Sequence, residues 1–247
     1  MRLFIILDDV TLSILPGEFV GIVGANGSGK TTLAKLLNGN LLPVSGSVTV
    51  DGLLTGYFQD LKKIKRLVTL IHADPENQLV TSTVFDELTF SLQVMGLDPI
   101  EIIRRSDDAL VKFDLQQYRN IHPFYLSVGE QFRLLLAAGM IRQPRYLVLD
   151  ETFSMMDSPT RYSFLNTLRN IRSENSLSVI LFTHRLDDLV GADRIIVLHN
   201  GKLEKDGTRS SIFSEVVENE TLQIEVPLIY QVYEKIDAQR RQWFEIP

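Results

Sequence analysis

Hydrophobic and polar positions along this chain follow two alternating rhythms. Short unbroken apolar runs, rich in Val, Ile and Leu, occur as "EFVGIVG" (18–24), "LVTLI" (67–71), "RYLVLD" (145–150), "SVILFT" (178–183) and "RIIVLHNGKL" (194–203). Their length and branched side chains predict strands buried on both faces. Between them the apolar residues recur at helical spacing. "KTTLAKLLNGN" (30–40) places Leu33, Leu36 and Leu37 on one face and ends at Gly39, and "PTRYSFLNTLRNIRS" (159–173) repeats the pattern. "SGSVTVDG" (45–52) alternates like an edge strand running into an Asp51-Gly52 turn.

From about Thr83 to Met140 the pattern is helical throughout: "TVFDELTFSLQVMG", "PIEIIRRSDDALVKF" and "VGEQFRLLLAAGMI" have no strand between them. This predicts a helical subdomain, about residues 76–140, inserted into an α/β core. Buried strands joined by helical crossovers predict an α/β fold with a mostly parallel sheet covered on both faces and an antiparallel β edge. The main domain is expected over residues 1–210. A tail, 211–247, ends in the amphipathic "PLIYQVYEKIDAQRRQWFEIP", a short helix by its spacing.

Composition narrows the function. The 247 residues are 45% hydrophobic and 23% charged, an ordinary globular balance. No apolar run approaches the ~18 residues that span a bilayer, and "MRLFIILDDV" turns acidic before any signal-cleavage site. Cysteine is absent, which excludes disulfides and thiolate metal sites and fits a reducing cytosol. A net charge of −6 with no basic stripe predicts no nucleic-acid partner.

The chemistry begins at "GANGSGKTT" (24–32), directly after a predicted strand and opening a predicted helix. Gly24, four residues, then Gly29-Lys30-Thr31 fits the Walker A phosphate loop of a P-loop NTPase. Asn26, Gly27 and Ser28 complete a run of backbone amides that can ring a phosphate, and the helix dipole adds its positive end. Lys30 is expected at the β and γ phosphates, Thr31 at Mg2+, and Thr32 near the α-phosphate. In "YLVLDETFSMMD" a buried strand delivers Asp150 and Glu151 to its C-terminal end, where ligands collect in open α/β sheets. Asp150 is a Mg2+ ligand candidate, acting through water, and Glu151 a candidate to orient or deprotonate the attacking water.

Together with "LSVGEQFR" and "VILFTHRLDDL", these motifs resemble the cassette ATPase of ABC transporters over residues 7–210. "DPENQLV…TVFDEL" most resembles the ATPase subunits of energy-coupling factor transporters, which import vitamins or transition-metal ions. The resemblance implies ATP and Mg2+ as cofactors, a second ATPase chain, an integral membrane subunit, and a peripheral place on the cytoplasmic face of the membrane. It also implies that Ser127 and Gly129 of the signature contact the γ-phosphate held by the other chain, that His184 contacts the γ-phosphate of this one, and that Asp157 belongs to the loop communicating across the dimer. Ser127 with Glu130 also reads as a helix capping box. Asp86 and Glu87 are candidates to meet basic residues of the membrane subunit, or equally a solvated helix start.

Three departures stand out. Ala73 replaces a glutamine that normally reaches Mg2+ and the attacking water, and Gln78 is not expected to substitute. Val128 replaces the first signature glycine. The chain begins without the family's first strand, leaving Phe4 as a weak adenine-stacking candidate. Ala73 weakens the site on this chain's own Lys30 and Val128 the partner's site, so a heterodimer is favoured over a homodimer. Two further readings stay open: an ABC-type ATPase of a soluble assembly machine, and a degenerate nucleotide-binding partner with weak catalysis.

Overall fold

The computed structural model describes residues 5–218 together with 222, 224 and 225. Five parallel strands, β1 (Phe19–Val23), β4 (Val68–Ile71), β5 (Tyr146–Asp150), β6 (Ser178–Thr183) and β7 (Arg194–His199), and an antiparallel edge strand β8 (Lys202–Thr208) form one sheet in the order β4-β5-β6-β1-β7-β8. A separate two-stranded ribbon, β2 (Thr49–Val50) and β3 (Leu53–Leu54), lies outside it. The chain has the architecture of an α/β P-loop NTPase.

Alternate side chains of each strand point to opposite faces, and both faces are packed. Phe19, Val23, Leu147, Leu149, Val179, Leu181, Ile195 and Val197 belong to one core cluster. Val20, Ile22, Val148, Ile180, Phe182, Ile196 and Leu198 belong to the other. The first is roofed by α3 (Val84–Gln93), α4 (Pro99–Lys112), α5 (Val128–Met140), α6 (Ser158–Asn175) and α7 (Arg209–Glu218). The second receives α1 (Lys30–Leu37) through Leu33 and Ala34, and α2 (Phe58–Leu67) through Ile64. Each fully buried aliphatic side chain removes enough apolar surface from water to contribute about 1.5–3 kcal/mol.

Two strand expectations need correction. "SGSVTVDG" is not an edge of the main sheet: Asp51 (φ 49) and Gly52 (φ 79) close a two-residue hairpin of its own. "RIIVLHNGKL" is not one strand, because Asn200 (φ 47) and Gly201 (φ 77) fold it into the β7–β8 hairpin that supplies the antiparallel edge. Helix α2 escaped the hydrophobic pattern, since Ile64 is its one buried residue and charged positions dominate the rest.

Between β4 and β5 come only α3, α4, α5 and two short 3-10 turns, Gln116–Tyr118 and Pro123–Tyr125. Thr83 caps α3 by accepting from Asp86 N–H, and Asp98 caps α4 by accepting from Ile100 N–H, with Pro99 opening the helix. Ile212, Phe213, Val216 and Leu222 are buried in the larger core, so the chain just beyond residue 210 packs on the body. Phe4 and the amphipathic stretch after Val226 lie outside the described residues.

Candidate active site

Register decides what meets at the C-terminal edge of the sheet. Ile71 pairs with Leu149, Asp150 with Phe182, and Val23 with Thr183. The residues that follow each strand, His72, Glu151, His184 and Gly24, therefore emerge side by side. Strand β1 lies between β6 and β7 while the chain leaves it for the distant β4. That change of direction opens the crevice in which ligands of such sheets bind.

The loop between β1 and α1 is shaped by close approach. A Cβ on Gly24 would lie 2.2 Å from the Leu198 carbonyl oxygen, so β7 leaves no room for a side chain. Gly29, the N-cap of α1, has φ 107, a region that side chains rarely enter. Asn26 and Gly27 are exposed on the rim, and Ser28 is buried with its Oγ lacking a hydrogen-bond partner among the described residues. Lys30 is 5% exposed. Its Nζ donates to Gly24 O at 2.6 Å and Ala25 O at 2.9 Å, and pairs with Glu151 Oε1 at 3.0 Å, an ion pair rather than an aligned hydrogen bond. The ammonium is thus ringed by two carbonyls of its own loop and the Glu151 carboxylate from the end of β5.

Asp150 is 3% exposed, and its carboxylate is bracketed. Thr31 Oγ1 donates to Oδ1 at 3.1 Å, and His72 Nδ1 lies 3.3 Å from Oδ2. Glu151 leaves the strand at φ 54, in the left-handed region, while its N–H still donates to Phe182 O at 3.0 Å. Such strain costs on the order of 1–3 kcal/mol and clusters at functional positions. Here it turns the carboxylate off the sheet, with Oε2 2.8 Å from His184 Nδ1. Thr183 donates to Asp188 Oδ2 at 2.6 Å, fixing the end of β6, and burial pushes the Asp188 carboxyl above its ordinary value.

These residues fit ATP with a divalent cation. The amide-lined loop and Lys30 suit a polyphosphate, the Ser28 hydroxyl is a free donor for it, and the Thr31 hydroxyl beside the Asp150 carboxylate is a hard-oxygen pair suited to Mg2+. Thr32 is half-buried in the first turn of α1. Among the described residues no group of three His, Asp or Glu side chains could hold a metal ion by itself, so the nucleotide and water would supply the remaining ligands. A cavity of about 700 Å3 walled by Asp51, Arg105 and Arg145 opens beside Tyr146, at the opposite end of β5; it is remote from this chemistry.

The signature residues form a second surface. Ser127 caps α5, and both arms of the capping box are present: Glu130 N–H donates to Ser127 Oγ, and the Glu130 carboxylate accepts from Ser127 N–H at 2.8 Å. Burial pulls the Glu130 carboxyl up, but hydrogen bonds from Tyr118 and Ser127 outweigh it and hold the group below its ordinary 4.5. A Cβ on Gly129 would lie 2.4 Å from Thr160 Cγ2, so glycine lets the start of α5 approach the start of α6, which Asp157 caps by accepting from Thr160 N–H at 3.0 Å. Val128 is 39% exposed, with its side chain open at the helix end.

Ala73 brings no polar side chain to the crevice, and Gln78 is fully engaged elsewhere. Its Oε1 accepts from His72 N–H at 3.0 Å, and its Nε2 donates to His72 O at 3.2 Å and Asp74 O at 2.6 Å. Glu87 is no partner for basic residues. It is 5% exposed and its Oε2 accepts from Val80 N–H, Thr81 N–H and Thr81 Oγ1, because the loop before α3 needs an internal acceptor. Asp86 remains exposed. Two neighbours escaped the sequence reading. His72 was signalled only by standing after a buried strand as Asp150 does. Arg185 pairs with both carboxylate oxygens of Glu225 at 2.9 Å, a contact between distant segments that no local pattern marks.

Comparison with known proteins agrees with this geometry. The sequence model described as "ABC transporter" matches residues 7–154. The chain is 38% identical over 207 residues to the energy-coupling factor transporter ATP-binding protein EcfA1 of Lactiplantibacillus plantarum, covering 84% of this chain and 73% of that one. It is 35% identical over 242 residues to EcfA1 of Caldanaerobacter subterraneus subsp. tengcongensis, covering 98% and 86%. Among solved structures, CbiO1 of Clostridium perfringens, part of the ABC transporter complex CbiONQ, superposes with a TM-score of 0.80 at 27% identity over 93% of this chain and 92% of that one. A dimeric ATP-binding cassette in a post-hydrolysis state, bound to ADP and Pi, gives 0.72 at 26% identity over 82% and 90%. The sequence model over residues 7–154 and relatives at 35–38% identity over most of the chain have one conclusion: the chain belongs to the ABC transporter family, among the ATP-binding proteins of energy-coupling factor transporters.

Proposed function

We propose that Lys30, Thr31, Asp150, Glu151 and His184 form the ATP-hydrolysing centre through which this chain energises an importer of energy-coupling factor type. The observation that carries the reading is the chain of contacts Lys30–Glu151–His184, at 3.0 and 2.8 Å, on the edge where β1, β5 and β6 end. As a family member the chain is an ATPase subunit, peripheral on the cytoplasmic face of the membrane, that works with a second ATPase chain and membrane subunits. The groups from Gly24 to Thr32 bind the phosphates, and Lys30 exchanges Glu151 for the β and γ oxygens. Thr31 and Asp150 would hold Mg2+, which offsets phosphate charge. Released from Lys30, Glu151 orients the attacking water and takes its proton, while His184 holds the other Glu151 oxygen and faces the γ-phosphate.

Closure follows from charge. Ser127 and Gly129, at the positive end of α5, clasp the γ-phosphate on the facing chain, and its loss on hydrolysis lets the pair reopen. We infer a heterodimer. Ala73 removes a polar group beside this chain's own nucleotide, and Val128 places a branched side chain where the signature meets the partner's phosphate. Hydrolysis is favoured over a silent site because the Glu151–His184 pair is intact. The test is Mg2+-dependent ATP turnover of this chain alone and with its companion ATPase chain and membrane subunit. Turnover is expected only in the assembly and, with the companion chain's own catalytic glutamate disabled, should fall on the order of 10²–10⁴-fold with Glu151→Gln. Unchanged turnover in that variant overturns the assignment, and equal turnover by the isolated chain overturns the heterodimer.

A further inference from the structure

We propose that His72 is a metal-facing residue of the nucleotide site, an imidazole donor in place of the amide that Ala73 lacks, and that it biases the site towards a transition-metal divalent cation over Mg2+. The inference rests on the nucleotide reading above and adds the identity of one ligand and the cation class. Three observations carry it. First, β4 and β5 run parallel with Ile71 opposite Leu149, so His72, just past β4, stands beside Asp150, the last residue of β5. Second, Asp150 offers one oxygen to Thr31 at 3.1 Å and the other to His72 Nδ1 at 3.3 Å. Two donors about 2.1 Å from one ion at a right angle stand roughly 3.0 Å apart, so groups now in hydrogen-bond contact at 3.1 and 3.3 Å need little movement to share one cation. Third, His72 is held in place from behind: the Gln78 amide accepts from its N–H and donates to its carbonyl. The imidazole is 29% exposed against 4% for Asp150, so its edge is open to the crevice.

The chemistry follows from ligand type. Carboxylate and hydroxyl oxygens suit Mg2+, whereas an imidazole nitrogen adds affinity for later first-row ions. Gln78 cannot perform this task because both ends of its amide are committed to the loop.

The experiment uses Mn2+-ATP bound to the full chain with its companion ATPase chain, this chain labelled with 15N at histidine, read by pulsed EPR. Both 31P and 15N couplings to Mn2+ are expected, the 15N coupling vanishing in His72→Ala and surviving in His184→Ala. A 31P coupling without 15N coupling, or a 15N coupling that persists in His72→Ala, overturns the inference and leaves the nucleotide reading intact. Absence of 31P coupling overturns both. As a second readout, His72→Ala is expected to lower ATP retention with Ni2+ about tenfold, the low end for losing a ligand-sphere group, and with Mg2+ less, while His72→Gln restores the Mg2+ value. An equal loss with both ions overturns the cation bias.

Discussion

Gly129 has no room for a side chain, because a Cβ there would stand 2.4 Å from Thr160 Cγ2. Gly129→Ala is expected to destabilise the chain by about 1–3 kcal/mol, as overpacking does. Adding Thr160→Ser, which deletes the clashing methyl but keeps the backbone N–H bonded to Asp157, should return most of that loss in thermal unfolding. A double variant no better than the single one would place the cost elsewhere. The same locality applies to Lys30. Lys30→Ala removes the cation that three acceptors now ring, and ATP binding by titration calorimetry is expected to weaken by on the order of 10²-fold or more. The Walker A spacing made this residue legible in sequence. His72 was not legible, since its importance depends on a neighbour 78 positions away.

Helix α5 is stabilised at its start by a three-residue network. Ser127, Glu130 and Tyr118 exchange hydrogen bonds around one carboxylate. Because the folded-state carboxyl lies below its unfolded value of 4.5, the contribution is full above that pH and is lost as pH falls through the lower folded value. Tyr118→Phe removes one bond to the ionised form. It is expected to cost about 1 kcal/mol at neutral pH, with the difference from the parent chain shrinking below pH 4.5. Urea unfolding of the two chains at pH 7 and pH 4 checks this, and a difference independent of pH would assign the loss to packing. The capping box was readable from the Ser127-x-x-Glu130 spacing. Tyr118 was not, because it reaches Glu130 from a separate 3-10 turn between α4 and α5, outside the helix's own spacing.

For the whole molecule, the proposed head-to-tail pairing would put Ala73 and Val128 at different sites of an assembled pair. Ala73 lies beside this chain's own Asp150 neighbour His72, whereas Val128 projects from the α5 terminus. In the complex with its companion, Val128→Gly is expected to raise hydrolysis at the partner's nucleotide. Ala73→Gln should raise it at this chain's own. Each gain should be about tenfold, the worth of one 1.4 kcal/mol interaction in the transition state. Single-turnover hydrolysis with one site disabled by the relevant Glu-to-Gln change separates the two. Effects at the opposite sites would reverse the head-to-tail arrangement, and no effect at either would remove the basis for favouring a heterodimer.

The one-dimensional sequence determined what depends on short spacings. Buried strands follow from unbroken apolar runs, the inserted helical block from its period, and the phosphate loop from glycines whose backbone angles and close contacts forbid side chains. The sequence also placed Asp150 and Glu151 at a strand end. Tertiary structure alone decided which strand ends are neighbours, because sheet order is set by packing two apolar faces at once, which leaves no trace in local spacing. It thereby joined Glu151 to His184, set His72 against Asp150, withdrew Gln78 and Glu87 into their own loops, closed "SGSVTVDG" into a hairpin of its own, and built the antiparallel edge from the hairpin after His199. Hydrogen-bond demand explains the last two withdrawals: buried backbone groups must be satisfied, and a polar side chain nearby is recruited whatever its motif suggests.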